Sequence, residues 1–376
     1  MTLSARESPA QPPKPYEILH ILGTAGQAGT GISRMVKVLA AHLDPSEFRV
    51  SACFLAGPGP WIGRLTAAGV TTWRLPWSRP RDLPGAIRFW RLLRSHRPDL
   101  VHCHFGGRAV WRLARWTSGA PLVVHAHGRV RHELDFEPVI RRLRDADAVI
   151  ATSHAVAAFV DASSVRVIHP PLAMPPAPTH PESSVVGAAG RLVPIKGYDN
   201  LIRAFAGLCR IRPGVRLEIA GEGPWRTALE AEVHRLGLDS VVTFLGWVDH
   251  LPMVMRRWSV FVQPAMEEAL GITVLEAMAS GLPVVASDVG GLPEIVEPGV
   301  TGMLVRRGDE GALISAMDSL LGNDSLRVTL GRAARERARE FGQARFAEQV
   351  ASVYRSLIAP PDPCSDPSSG QPSHPT

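Results

Sequence analysis

The stretch EEALGITVLEAMASGLPVVASDVGGLPEIV, residues 267–296, decides how this chain is read. Two carboxylates, Glu268 and Glu276, stand eight positions apart, with Gly271 and an apolar run between them. A buried strand, Leu282 to Ala286, and a glycine pair, Gly290 and Gly291, follow. The order is loop, glycine turn, helix, strand, glycine loop. Open α/β folds hold phosphorylated ligands at such places, because strand ends and helix starts meet there.

Spacing limits the chemistry. Eight residues of helix rise roughly 12 Å. The two carboxylates of a glycosidase stand only about 5 to 10 Å apart across one bond. Glu268 and Glu276 are therefore expected to hold two ends of a long ligand, not to share one anomeric carbon. The helix start near Gly271 offers unpaired N–H groups and a positive dipole end. Carboxylates accept hydrogen bonds from sugar hydroxyls and a helix N-terminus accepts phosphate, so the pattern describes a site for a nucleotide sugar.

Upstream lies GRLVPIKGYDNL (190–201), where Arg191 and Lys196 follow a glycine-containing strand. Two cations at that spacing can clamp a diphosphate, arginine through its fork and lysine as a point charge. Both sit on a loop, so neither is expected to matter for folding. LEIAGEGPWR (217–226) and VVTFLGWV (241–248) read as strands and turns.

These segments, with the Glu-x7-Glu spacing, resemble the family 4 retaining glycosyltransferases of the GT-B fold (glycosyl transferases group 1). The resemblance runs over about residues 16 to 358. It implies an α/β chain of two Rossmann-like, doubly wound domains facing an interdomain cleft. It further implies transfer of a sugar from a nucleotide-sugar donor to a hydroxyl acceptor with retention of configuration. The acceptor is expected to be a lipid-linked glycan in cell-surface polysaccharide biosynthesis. By the same resemblance Glu276 binds the ribose hydroxyls and Glu268 those of the transferred sugar. Backbone N–H groups near Gly271 and Ile272 help hold sugar and phosphate, and Arg191 and Lys196 take the diphosphate. His127, ending a strand in HAHG (125–128), takes the place of a family histidine near the donor sugar. His125, on the same side of that strand, is expected to be buried structure.

The chain departs from the family pattern in places. Glu-Gly-Phe-Gly is replaced by Glu268-Ala269-Leu270-Gly271, and VIHPPL (167–172) lacks the usual Asn-Gly. The first glycine loop, GTAGQAGTG (23–31), lacks the family's Gly-Gly-x-Glu. Nor does it fit G-x-G-x-x-G, which argues against a dinucleotide cofactor. It is read as the acceptor-side loop, with Gly29 and Gly31 approaching the ligand. His102 and His104 in VHCHF have no accompanying cysteine or acidic cluster, and DADA (145–148) precedes a buried strand. No metal and no cofactor are expected beyond the co-substrate.

Composition bounds the rest. The 376 residues are 45% hydrophobic and 20% charged, ordinary for a soluble globular protein of two domains. No apolar run of 18 residues exists, and the N-terminus lacks an apolar core. Four scattered cysteines fit reduced thiols. A cytoplasmic location is expected, at the inner face of a membrane. Residues 1–180 hold 22 Lys+Arg and 12 Asp+Glu, a net of +10, whereas the remainder nets −4. Ten arginines crowd 74–115, beside Trp73, Trp77, Trp90, Trp111 and Trp116. In LPGAIRFWRLLRSHR (83–97), Leu83, Ile87, Trp90 and Leu93 form an apolar stripe flanked by Arg88, Arg91 and Arg94. Such a helix can meet anionic lipid. No nucleic-acid partner is expected.

The expected organisation is a disordered N-terminus (1–15), an acceptor-side domain (16–173), a linker (174–184) and a nucleotide-sugar domain (185–340). A helix crossing back to the first domain (341–358) and a disordered tail (359–376) complete it. Two rivals stand beside this reading: a synthase-type GT-B enzyme acting on soluble sugars, and a non-catalytic nucleotide-sugar-binding protein.

Overall fold

A computed structural model describes residues 14–26, 30–77, 82–104, 107–128, 143, 145–176 and 184–358. Gly29, most of the expected linker, and nearly all of both expected disordered termini lie outside the described residues.

The first sheet contains β1 (Tyr16–Leu22), β2 (Phe48–Phe54), β3 (Thr71–Arg74), β4 (Leu100–Cys103), β5 (Leu122–Ala126), β6 (Ala148–Ala151) and β7 (Val165–Val167). Its order is β3-β2-β1-β4-β5-β6-β7. The second sheet contains β8 (Val185–Ala189), β9 (Arg216–Ala220), β10 (Val242–Gly246), β11 (Val260–Gln263), β12 (Val284–Ser287) and β13 (Gly302–Val305). Its order is β10-β9-β8-β11-β12-β13, with every described pair parallel. Parallel strands buried on both faces need continuous apolar runs, and VVGAA and VFVQ supply them. Two compact units emerge: 1–123 with 145–148 and 348–376, and 124–144 with 149–347.

In the second unit, residue alternation splits the core. Val186 and Ala188 of β8 face a cluster with Phe205, Leu208, Ile219 and Leu313. Val185 and Ala189 face the other side, against Trp258, Phe261, Leu275 and Met278. A Cβ on Gly187 would stand 1.9 Å from the Trp258 ring, so only glycine lets that indole lie on β8. Losing so large a buried ring costs about 3–5 kcal/mol.

In the first unit the end of the last helix, Gln343–Ile358, is anchored by three groups. The Tyr354 hydroxyl lies 2.6 Å from His102 Nδ1, its ring packs edge-on against Phe48, and Arg355 pairs with Glu47 at 2.7 Å. This helix begins two residues later than expected, because Arg339–Phe341 forms a separate turn. The strand expected at 282–286 also starts later, at Val284, after Leu282 and Pro283.

The helix Leu83–His96 divides its apolar residues between two faces. Phe89, Leu92 and Leu93 are buried, whereas Leu83, Ile87 and Trp90 are exposed. Leu93 therefore leaves the expected lipid-facing stripe. No described helix is long and apolar enough to cross a membrane.

Candidate active site

β8 pairs with β9 on one side and β11 on the other, so winding reverses between β8 and β11. Loops leaving strands at such a reversal diverge and open a crevice at the carboxyl ends. The loop after β8 carries Arg191 and Lys196, and the loop after β11 carries Glu268. Backbone contacts lace the two together. Ile195 O accepts from Met266 N at 2.8 Å and from Glu267 N at 3.3 Å. Gly197 has φ +67°, and a Cβ there would come within 2.1 Å of Pro264 O. The loop after β12 closes in as well: a Cβ on Gly290 would lie 1.7 Å from Glu268 O.

Lys196 ends the 3-10 turn Pro194–Lys196, and its Nζ lies 2.5 Å from Glu268 Oε2. The same oxygen accepts from Gln263 Nε2 at 3.1 Å, while Oε1 accepts from Ala269 N at 3.2 Å. The lysine and glutamate side chains are only 16% and 10% exposed. Lys196 is thus not the loose loop cation that the sequence suggested, and removing it would strand a mostly buried carboxylate. Arg191, at the start of the same loop, is exposed.

The helix after Glu268 is Ile272–Ala279, with Gly271 as its N-cap at φ +100° and no side-chain cap. The left-handed backbone favours glycine. A Cβ there would also meet Leu292 at 2.6 Å. The first-turn N–H groups lack intrahelical acceptors and face the positive dipole end. Ile272 is exposed and Glu276, one turn into the helix, is half-buried. Glu268 lies in the loop, not on the helix. A rise of 1.5 Å per residue therefore applies only from Ile272 onward.

His127 follows β5 in HAHG and stacks on His125 with ring centroids 4.3 Å apart. Desolvation pushes its pKa down to about 4, so at neutral pH it is an uncharged donor and acceptor. His125 is buried. A Cβ on Gly128 would lie 3.1 Å from the Ala269 Cβ. Ser153 Oγ donates to Ala269 O at 2.7 Å. These two contacts bring the His127 segment to the Glu268 loop. Gly31 falls inside the helix Thr30–His42.

In the first unit His20, His102 and His104 bring ring nitrogens within 4.8 Å of one another, a grouping that could hold a metal ion. His104 stacks on both His20 and His102, with ring centroids 5.2 and 4.2 Å away, whereas His20 and His102 are tilted at 4.9 Å. His20 Nδ1 lies 2.9 Å from His104 Nε2, and the Tyr354 hydroxyl engages His102. Burial pushes the His20 pKa down to about 3. The three rings form a ladder, tied by the His20–His104 hydrogen bond, in which His20 stays neutral.

Two residues at the site escaped the sequence reading. Gln263 ends β11 and is fully buried; an amide closing the apolar run VFVQ was its only signal. Tyr198, the first residue of the helix Tyr198–Ile211, is buried beside Glu268. Burial and, second, the Glu268 charge raise its pKa, so it stays a phenol.

Comparison with known proteins gives the family. The description Glycosyl transferases group 1 matches residues 174–337, and Glycosyltransferase Family 4 matches 29–173. The chain belongs to this family and is a glycosyltransferase of the GT-B fold. A D-inositol 3-phosphate glycosyltransferase of Streptomyces coelicolor is 31% identical, over 89% of this chain and 88% of its own. The lipopolysaccharide core biosynthesis mannosyltransferase LpcC of Rhizobium leguminosarum bv. viciae is 31% identical, over 74% and 86%. Among solved structures, Anabaena HepE in complex with UDP has a TM-score of 0.78. It is 24% identical, covering 91% of this chain and all of its own.

Proposed function

We propose that this glycosyltransferase moves a sugar from a nucleotide-sugar donor to a hydroxyl acceptor with retention, and that the acceptor is a lipid-linked glycan in cell-surface polysaccharide biosynthesis. The observation that carries the donor half is the Lys196–Glu268 pair at the β8/β11 reversal, beside the N-terminus of Ile272–Ala279. Arg191 and Lys196 hold the diphosphate and neutralise charge developing on the leaving group. Glu276 accepts from the ribose hydroxyls and Glu268 from those of the sugar. Gly271 and Ile272 offer backbone N–H groups to sugar and phosphate. Neutral His127 orients the reacting centre. The leaving phosphate departs on the face where the acceptor attacks and takes the acceptor's proton, so no separate base is needed. The lipopolysaccharide mannosyltransferase among the relatives supports a glycan acceptor.

The lipid half rests on the first unit. Exposed Leu83, Ile87 and Trp90 stand beside a groove of about 600 Å³ lined by Trp73, Arg88, Trp90, Arg91 and Arg94. Apolar side chains ringed by arginine match an anionic membrane surface, each arginine adding roughly 1 kcal/mol.

Thermal shift against UDP-glucose, GDP-mannose and ADP-glucose tests the donor, since a bound ligand raises apparent stability by mass action. One conjugate is expected to raise the melting temperature, and to be slowly hydrolysed without acceptor. No shift with any nucleotide or conjugate would overturn the reading.

A further inference from the structure

We propose that Gln263, backed by the Tyr198 hydroxyl, is a positioning device that keeps the Glu268 carboxylate in place when a donor diphosphate draws Lys196 away. This deepens the proposed function and rests on its assignment of Lys196 to the diphosphate and Glu268 to the sugar.

Glu268 Oε2 accepts from both Lys196, at 2.5 Å, and Gln263, at 3.1 Å. A diphosphate bearing several charges competes with one carboxylate for the ammonium. When Lys196 turns to it, Glu268 loses its ion partner while remaining mostly buried. An unpaired buried carboxylate is costly and tends to turn away from the position that the sugar hydroxyls need. The site therefore needs neutral donors that phosphate does not attract.

Two are present. Gln263 Nε2 already holds Glu268, and an amide carries no charge for phosphate to pull. The Tyr198 hydroxyl is buried, has no hydrogen-bond partner among the described residues, and feels the Glu268 charge. Gln263 Oε1 is buried without a partner as well. Buried polar atoms are seldom left unsatisfied, and two beside one carboxylate mark a network that completes itself in another state. The backbone brings them together. A Cβ on Gly197, just before Tyr198, would touch Pro264 O, just after Gln263. Tyr198 Oη would lie only 2.8 Å from a Cβ on Gly190, at the root of the Arg191 loop. Charge exchange at Lys196 and reorientation at Tyr198 thus occur within one packed set of loops.

Kinetics separate positioning from donor affinity. Gln263→Met is expected to lower kcat for donor hydrolysis about 10-fold or more, since small misplacements at a reacting centre are expensive. Affinity for the free nucleoside diphosphate, by calorimetry with UDP, GDP or ADP, is expected to stay within about 3-fold, a change worth well under 1 kcal/mol. Tyr198→Phe, which removes one oxygen from a buried ring, is expected to lower kcat in the same way by less, again with diphosphate affinity kept. It serves as the test if Gln263→Met does not fold. A residue that only supports the fold would lower the melting temperature and leave kcat of the folded enzyme unchanged. An unchanged kcat, or diphosphate affinity falling as much as kcat, would overturn the proposal. Glu268→Gln is the control: wild-type turnover there would sink the underlying site assignment, whereas loss there with no effect at Gln263 or Tyr198 would sink only this inference.

Discussion

The two sheets reverse their winding at equivalent places, between β1 and β4 in the first and between β8 and β11 in the second. What lies at each reversal differs. At β8/β11 the loops present an exposed arginine, a lysine–glutamate pair and an open helix N-terminus. At β1/β4 the strand ends present three buried histidines packed ring against ring, His20, His102 and His104, of which His20 is held neutral. Topology makes a crevice available in both. A cation beside an open helix N-terminus, as at β8/β11, is a pairing suited to developing negative charge. The β1/β4 reversal is held to the last helix by Tyr354.

The largest effects fall on the charged reversal. Lys196→Ala and Arg191→Ala are each expected to lower turnover by about 10²-fold or more. They part company in stability. Lys196→Ala strands a mostly buried carboxylate and is expected to cost about 1–3 kcal/mol, whereas exposed Arg191→Ala is expected to cost almost nothing. Urea denaturation of both variants reads the difference; equal stability would mean that the Lys196–Glu268 pair does not persist in solution.

Next come the two glutamates. Glu276→Gln is expected to weaken binding of the nucleoside diphosphate, because the ribose belongs to that fragment. Glu268→Gln is expected to spare diphosphate binding and impair sugar transfer. Calorimetry with the free diphosphate separates them, and identical losses would break the division of labour.

The histidine reversal should reveal itself through pH. His20 is held near pKa 3, whereas an unfolded histidine titrates near 6.5. Below about pH 6.5 the unfolded chain binds a proton that the native chain refuses. The stability present at neutral pH is therefore lost as pH falls towards 3, by up to ~1.4 kcal/mol per pH unit. His127, held near 4, adds to the slope in the same direction. Denaturant midpoints at pH 7 and pH 5 measure it, and His20→Asn should flatten it. An unchanged slope in that variant would show that His20 is not kept neutral.

The smallest effect concerns the arginine-bordered face of Leu83–His96. Binding to anionic vesicles is expected at low ionic strength and release near molar salt, with Arg91 and Arg94 replaced by glutamine weakening it. Equal binding to neutral vesicles would assign attachment to Trp90 and Ile87 alone.

Sequence by itself determined the alternation of strands and helices, since buried parallel strands and amphipathic helices write their periods locally. It also marked Arg191, Lys196, Glu268 and Glu276 as the candidate site, and the glycine that opens the helix at Ile272 was legible. Tertiary structure alone decided how those residues are used. Lys196 and Glu268 are 72 positions apart, and only the order β8-β11 sets their loops side by side. Packing likewise turned Leu93 inward in the first unit and left Leu83, Ile87 and Trp90 outside, although spacing alone had set all four on one stripe. It also put Gln263 and Tyr198 behind the carboxylate, where a lone amide in an apolar strand and a tyrosine after a glycine had seemed ordinary. Periodicity is a property of neighbours along the chain, whereas pairing, burial and the state of a charge depend on which distant strand lies alongside.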